Sequence, residues 1–301
     1  MAEDRARARC DERRRRERSP DGPRRHDRQE ECLDRSRDLL PTRVDACPPL
    51  PPAYHERLDA GLRALDLTLD PESRRAIDGH VRLLVAWNAA INLTSIRDPA
   101  QMAIRHVVDS LSAVRVLRRH AVGAFLDIGS GGGFPGLPLA AAMPETEALL
   151  IDSVGKKARF LGVAIEAVGL GGRLRVGSVR AEALAADPRH RELWPAVTAR
   201  AVASLAELVE LAFPLLLPGG VLVAWKRGDL DAERATADRA IASLGGGSLE
   251  VLPPAIEDGS VVDGQDPIGL SEHRLVVVRR GRQAVPAAYP REPAARRRRP
   301  W

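Results

Sequence analysis

From residue 123 the chain alternates short apolar runs with stretches of helical periodicity, and few folds accept that alternation. Residues 124–128, 148–151, 174–176, 196–199 and 221–225 read as buried strands, and 156–168, 205–216 and 229–244 read as helices. Strands separated by helices pair in parallel, with helices on both faces of one sheet. Residues 249–252 and 274–278 follow with no helix between them, which predicts an antiparallel pair at the end of the sheet. The expected class is α/β.

The segment before the sheet is helical. Leu58, Leu62 and Leu65 share a helical face, and Asp70-Pro71-Glu72 is a helix start, with Asp as N-cap and Pro at the first position. Ile77, Val81, Leu84 and Val85 carry that helix to about Ala90. Asp98-Pro99 opens another, with Met102, Val107, Leu111 and Val114 on one side. The predicted organisation is a disordered extension rich in Arg, Asp and Glu (1–52), a helical region (53–122), the sheet domain (123–280) and a basic tail (281–301).

Charge is unevenly placed. The 46 basic and 41 acidic side chains give a formal net charge of +5. Residues 1–50 hold 14 basic and 12 acidic side chains, and residues 279–301 hold 8 and 1, which leaves 24 and 28 for the body between. This excludes a uniformly basic nucleic-acid wrapper and allows a basic arm on a mildly acidic domain. Cys10, Cys32 and Cys47 all precede that body, and no Cys-x-x-Cys pair exists. Neither a metal site nor a disulfide framework is expected, and the reducing cytoplasm is the expected compartment. The most apolar stretch, 211–225, is cut by Pro214, Pro218, Gly219 and Gly220, so no membrane span is expected.

The sharpest motif is Asp127-Ile128-Gly129-Ser130-Gly131-Gly132-Gly133-Phe134-Pro135-Gly136, placed between a strand and a helix. Glycines allow tight turns and close approach of backbone to a ligand. Two frames fit. Gly131, Gly133 and Gly136 with Asp152 match a dinucleotide fingerprint. Asp127, Gly129, Gly131 and Gly133 match a loop for S-adenosylmethionine. An acid ending the first strand is unfavourable beside a pyrophosphate and favourable near an amino or sulfonium group. Asp152, ending the second strand, suits ribose hydroxyls. The second frame is preferred, and a nicotinamide-dependent oxidoreductase is the first rival.

Further segments accompany the loop Asp127 to Gly136: Trp87-Asn88, Asn92-Leu93-Thr94, Arg97-Asp98-Pro99, His106 and Asp109-Ser110-Leu111 before it, and Leu150-Ile151-Asp152-Ser153, Lys156-Lys157, Phe160-Leu161, Arg180-Ala181-Glu182, Ala199-Arg200-Ala201, Lys226 and Tyr289-Pro290-Arg291 after it. Together they carry a resemblance: the chain resembles the bacterial small-subunit rRNA guanine-N7 methyltransferases, the RsmG or GidB family. It implies a class I S-adenosylmethionine-dependent methyltransferase fold, Rossmann-like, acting on a guanine N7 in the 530 loop of 16S rRNA, guanine 527 being the expected position. It also implies cofactor contacts at Gly129, Phe134, Ala181, Glu182 and Arg200, joined by Asp127, Gly131, Gly133 and Asp152 from the loop argument. The partner implied is 16S rRNA or the 30S subunit, met by a monomer.

Guanine N7 carries a lone pair and no proton, so no general base is required and holding the reactants in line suffices. The body has no cysteine for attack on a pyrimidine. Where methyltransferases of exocyclic amines carry Asn/Asp-Pro-Pro-aromatic, this chain has Thr198-Ala199-Arg200-Ala201. The candidate RNA contacts are Arg105, His106, Lys156, Lys157, Lys226, Arg291 and Arg297, the last within an arginine run at 296–299. A second rival is a non-catalytic RNA-binding module on the same fold.

Overall fold

The computed structural model describes residues 40–120, 123–252 and 269–301. The expected disorder of residues 1–39 and the link joining the last two strands lie outside them. The compact unit begins at Pro41, not at residue 53 as the extension boundary would have it. The reason is local. Cys47 is buried, the indole N–H of Trp87 donates to Pro41 O at 2.8 Å, and Arg82 Nε donates to Pro48 O at 2.9 Å. A Pro-rich segment with few apolar side chains is thus held by backbone carbonyls that composition does not reveal.

The helical region starts with α1 (Pro52–Ala64) and α2 (Pro71–Ile91). Asp70 caps α2 by accepting from the amides of Glu72 (2.9 Å) and Ser73 (2.8 Å), an arrangement worth about 1 kcal/mol. Asn92, at φ 50°, ends it. The stripe Ile77, Val81, Leu84 and Trp87 is buried, and Trp87 meets Phe160 at 5.5 Å.

The segment after Asp98 departs from the single helix expected there. It breaks into α3 (Pro99–Met102), a π-helical stretch (Ala103–Val108), α4 (Asp109–Leu111) and α5 (Val114–Arg119). Short π-helical segments recur at functional sites, because the extra residue per turn redirects side chains. This one carries Arg105 and His106.

The sheet has seven strands among the described residues: β1 (Ala124–Ile128), β2 (Glu147–Ile151), β3 (Leu174–Gly177), β4 (Trp194–Arg200), β5 (Leu216–Arg227), β6 (Gly247–Leu252) and β7 (His273–Arg280). The order is β3-β2-β1-β4-β5-β7-β6. β7 runs antiparallel to both β5 and β6, and the other pairs are parallel. The helices are α6 (Gly136–Ala142), α7 (Gly155–Ala167), α8 (Ala181–Ala186), α9 (Leu205–Ala212), α10 (Asp231–Ser243) and, in the tail, α11 (Pro293–Arg298). This is the α/β sheet that the alternation predicts, parallel but for its antiparallel end. Strand order reverses between β1 and β4, and ligands of such sheets bind outside the strand ends at that switch point. Asp127, Asp152, Arg200 and Lys226 all stand there, near the carboxyl ends of β1, β2, β4 and β5.

Candidate active site

The glycine loop leaves β1 and is closed on itself. The amides of Gly129 (2.8 Å) and Ser130 (3.0 Å) donate to Ile151 O, and those of Gly133 (2.7 Å) and Phe134 (3.1 Å) to Ser130 O. The Gly131 amide donates to Asp152 Oδ2 at 3.0 Å, and the Gly136 amide to Asp127 Oδ2 at 3.2 Å. A pyrophosphate needs free amides, and these six are engaged within the protein. The geometry therefore removes the dinucleotide frame.

Gly133 is irreplaceable in this loop. Its φ is +92°, and a Cβ there would stand 2.7 Å from Nε2 of His80. That ring lies behind the loop, hydrogen-bonded to Gly132 O at 2.7 Å, and burial pushes its pKa down to about 4. The imidazole is thus neutral and Nε2 donates. Sequence reasoning did not single out His80, although a histidine within the apolar stripe of α2 was its signal.

Asp127 is fully buried and turned into the sheet end, where it accepts from Thr198 Oγ1 at 2.7 Å as well as from the Gly136 amide. Burial raises its pKa to about 6. It braces the loop and does not line the adjoining cleft. Asp152 does line that cleft, as do Gly129, Ala181 and Glu182. Its Oδ1 accepts from the Val154 amide at 2.8 Å, so both oxygens hold backbone while keeping a second lone pair.

The cleft has a volume of about 290 Å³, with Ile128, Val179 and Leu211 as apolar walls. Its outer wall is the tail. Arg296 of α11 pairs with Glu182, and its Nε lies 3.9 Å from Glu207 Oε1. Apolar walls beside Asp152, a carboxylate with spare lone pairs, suit a nucleoside, and S-adenosylmethionine fits. The tail docks through Glu210, which is 0% exposed and accepts from the Arg291 guanidinium and backbone and from Trp301 Nε1 at 2.7 Å. Arg291, expected at the RNA, is instead committed to this buried acid. Arg297 lines the cleft.

A second pocket, of about 450 Å³, opens beside the first. Arg105, His106, Arg200, Lys226, Arg227 and His273 line it, with Asp109 and Trp225 at its back. Arg200 donates to Asp109 Oδ2 at 2.9 Å and to Arg105 O at 3.0 Å, and lies over the Phe134 ring at 5.4 Å. His106 stacks on Phe134 at 4.7 Å and is 2.7 Å from Thr94 Oγ1. Burial, then the Arg200 charge, pushes its pKa down to about 4. Thr94 is seated by Asn88, whose amide brackets it with two 2.9 Å hydrogen bonds. Lys226 pairs with Glu233 at 2.7 Å. Phe134 reaches this pocket through His106 and Arg200 and does not line the cleft.

The structure brings Arg105, His106, Arg200 and Lys226 together. It leaves Lys156 exposed and Lys157 half-buried on the first turn of α7, in neither pocket. His273 was not anticipated, because no local pattern marks the first residue of β7 as a partner of Asp109.

Among the described residues no cluster of metal-ligating side chains occurs, and no helix is long and apolar enough to cross a membrane. The family model for rRNA small subunit methyltransferase G matches residues 73–255. The protein of that name from Roseiflexus sp. is 40% identical over 238 residues, covering 79% of this chain and 96% of its own. The one from Rubrobacter xylanophilus is 36% identical over 252 residues, covering 82% and 90%. Among solved structures, an O-methyltransferase from Bacillus cereus in complex with SAH aligns at TM-score 0.48 and 16% identity, over 75% of this chain and all of that one. On the family match and the curated relatives, the chain belongs to the rRNA small subunit methyltransferase G family, enzymes that use S-adenosylmethionine.

Proposed function

We propose that this chain, acting as a monomer in the cytoplasm, methylates N7 of a guanine in the 530 loop of 16S rRNA within the 30S subunit, guanine 527 being the expected position. The observation that carries the reading is the adjacency of the two pockets. Arg200 and Ala201 line the cationic one, while Val202 and Ala203, next in the chain, line the cleft. Ala201 makes the turn between them at φ 57°. A base held in one pocket therefore lies against whatever fills the other.

When bound, S-adenosylmethionine supplies an electrophilic methyl on a sulfonium. Asp152 offers its spare lone pairs to ribose hydroxyls, and Gly129, Ala181 and Glu182 enclose the nucleoside. In the neighbouring pocket Arg105, Arg200 and Lys226 meet phosphate and guanine O6. His106, neutral and stacked on Phe134, presents a flat edge to the base. Lys156, Lys157 and Arg297 meet flanking phosphates, which adds affinity without base choice.

The site holds the reactants and does not deprotonate them. His106 is a weak base at about 4, and Asp109 is ion-paired to Arg200. Guanine N7 needs nothing more. The test is borohydride reduction and aniline cleavage of 16S rRNA from 30S subunits incubated with enzyme and S-adenosylmethionine. One new break at a guanine of the 530 loop is expected. No break, or a break elsewhere, defeats the proposal.

A further inference from the structure

The cationic pocket contains one hydrogen-bond acceptor whose chemistry the methyl transfer does not require. Asp109 is 3% exposed, and its Oδ1 lies 2.6 Å from Nδ1 of His273 while Oδ2 takes Arg200. An ionised carboxylate only accepts, so Nδ1 carries a proton, and in the neutral ring Nε2 keeps a lone pair. His273 lines the pocket, and the charged side chains lining it with Asp109 are cationic donors: Arg105, Arg200, Lys226 and Arg227. The three partners lie 91 and 164 residues apart in the chain, and the element that places Asp109 follows directly on the π-helical stretch. Such a carboxylate-backed acceptor is a built feature of the pocket.

We propose that the Asp109–His273 pair reads the Watson–Crick edge of the target base, with Nε2 accepting the N1–H of guanine. The inference rests on the N7 reading above. In the transfer, the N7 lone pair forms the new C–N bond as the C–S bond breaks, and sulfur leaves with that bond's electron pair as a neutral thioether. No proton moves. The base acquires a positive charge, and its N1–H becomes a stronger donor. An acceptor backed by a carboxylate therefore binds the methylating base more tightly than the resting one, which lowers the barrier. The same acceptor selects the base. Adenine and 2-aminopurine present a lone pair at N1, which would face the Nε2 lone pair, whereas inosine keeps the N1–H.

The experiment uses 30S subunits carrying guanine, inosine or 2-aminopurine at the target position, with wild-type enzyme, His273→Gln and His273→Phe. Wild type is expected to accept guanine and inosine and to lose about 100-fold in kcat/KM on 2-aminopurine. A Gln amide can keep one N–H on Asp109 and present either its oxygen to N1–H or its second N–H to a lone pair. His273→Gln should therefore keep kcat on guanine within about tenfold and shrink the 2-aminopurine penalty by about tenfold. His273→Phe should lower kcat on guanine by about 100-fold with cofactor affinity unchanged. An unchanged 2-aminopurine penalty in His273→Gln overturns the proposal even if the Phe variant does not fold, and so does wild-type kcat in a folded Phe variant. Product mapping separates the two levels. N7 product with an insensitive His273 overturns only this inference, whereas N1-methylguanosine overturns the N7 reading itself and makes the pair a general base.

Discussion

The cofactor cleft and the cationic pocket share the turn after β4, yet they are built by opposite means. The cleft has apolar side-chain walls, but its edge at β1 is set by main chain: a loop closed by its own amides, braced beneath by Asp127 and His80, with Asp152 holding the amides of Gly131 and Val154. The pocket is made of side chains from the π-helical stretch and the ends of β4, β5 and β7, tied through one buried carboxylate. Main-chain sites survive loss of side chains and fail when the backbone cannot adopt its angles. Side-chain networks fail when one partner leaves a buried charge behind.

The largest test of this contrast is Arg200→Ala. Asp109 is 5% exposed at the side chain and Arg200 15%, so the variant strands a buried acid with His273 alone. Removing one partner of such a pair costs about 3 kcal/mol or more, and the urea midpoint should fall accordingly, together with methyl transfer. Cofactor affinity should be nearly kept. A variant that loses cofactor affinity before stability would show the two regions to be one network.

Gly131→Asp is the converse. Its φ is +56°, and a Cβ there meets nothing nearer than Gly129 O at 3.8 Å. The new carboxylate stands beside Asp152 and repels it, and the left-handed backbone angle adds a strain of about 1 kcal/mol. S-adenosylmethionine binding should weaken about 100-fold, because Asp152 is displaced from its ligand-facing position, while the melting temperature falls by only about 2–4 °C. Isothermal titration and a melt on the same sample decide it.

Acid acts on both regions in different senses. Burial holds His80, behind the loop, and His106, in the pocket, at about 4. A histidine depressed in the fold contributes stability that is full above its unfolded value near 6.5 and is lost as pH falls towards 4. Asp127 is raised to about 6, so its contribution is full below its unfolded value near 4 and is lost as pH rises through 6. Falling pH restores that part. Two groups outweigh one, and stability should drop by about 2 kcal/mol from pH 7 to pH 5. Denaturant midpoints at the two values measure this, and a flat profile would mean that the histidines are solvated.

The same contrast explains what was legible from the amino acids alone. The order of strands and helices, the antiparallel end and the glycine loop are local patterns, and the structure places them near where periodicity did. Asp152 at the cleft follows from its position at a strand end. The pocket was half legible. Arg105, His106, Arg200 and Lys226 were candidates one by one, but His273 and the tie through Asp109 are long-range and leave no spacing to read. Arg291 and the docked segment from Pro41 were misjudged for a related reason. Their partners, Glu210 and the Trp87 indole, are buried groups far off in sequence, while composition alone suggested free arms.

The tail supplies the smallest and most selective test. Arg291 and Arg296 are engaged with Glu210 and Glu182, whereas Arg297, Arg298 and Arg299 are exposed. The body from 51 to 278 carries 24 basic and 28 acidic side chains, so attraction to RNA at a distance must come from such local cations. Replacing Arg297, Arg298 and Arg299 together with Gln leaves the docked anchors in place. Because each phosphate contact contributes roughly 0.7–0.9 to the slope of log affinity against log salt, loss of two or three should flatten that slope by about 2 and weaken 30S binding by about tenfold. The methylated position should not change, since phosphate contacts carry no base information. An unaltered slope would move the attraction to the pocket cations, and the two regions would then divide the work differently: the cleft holding cofactor, the pocket both attracting and choosing the base.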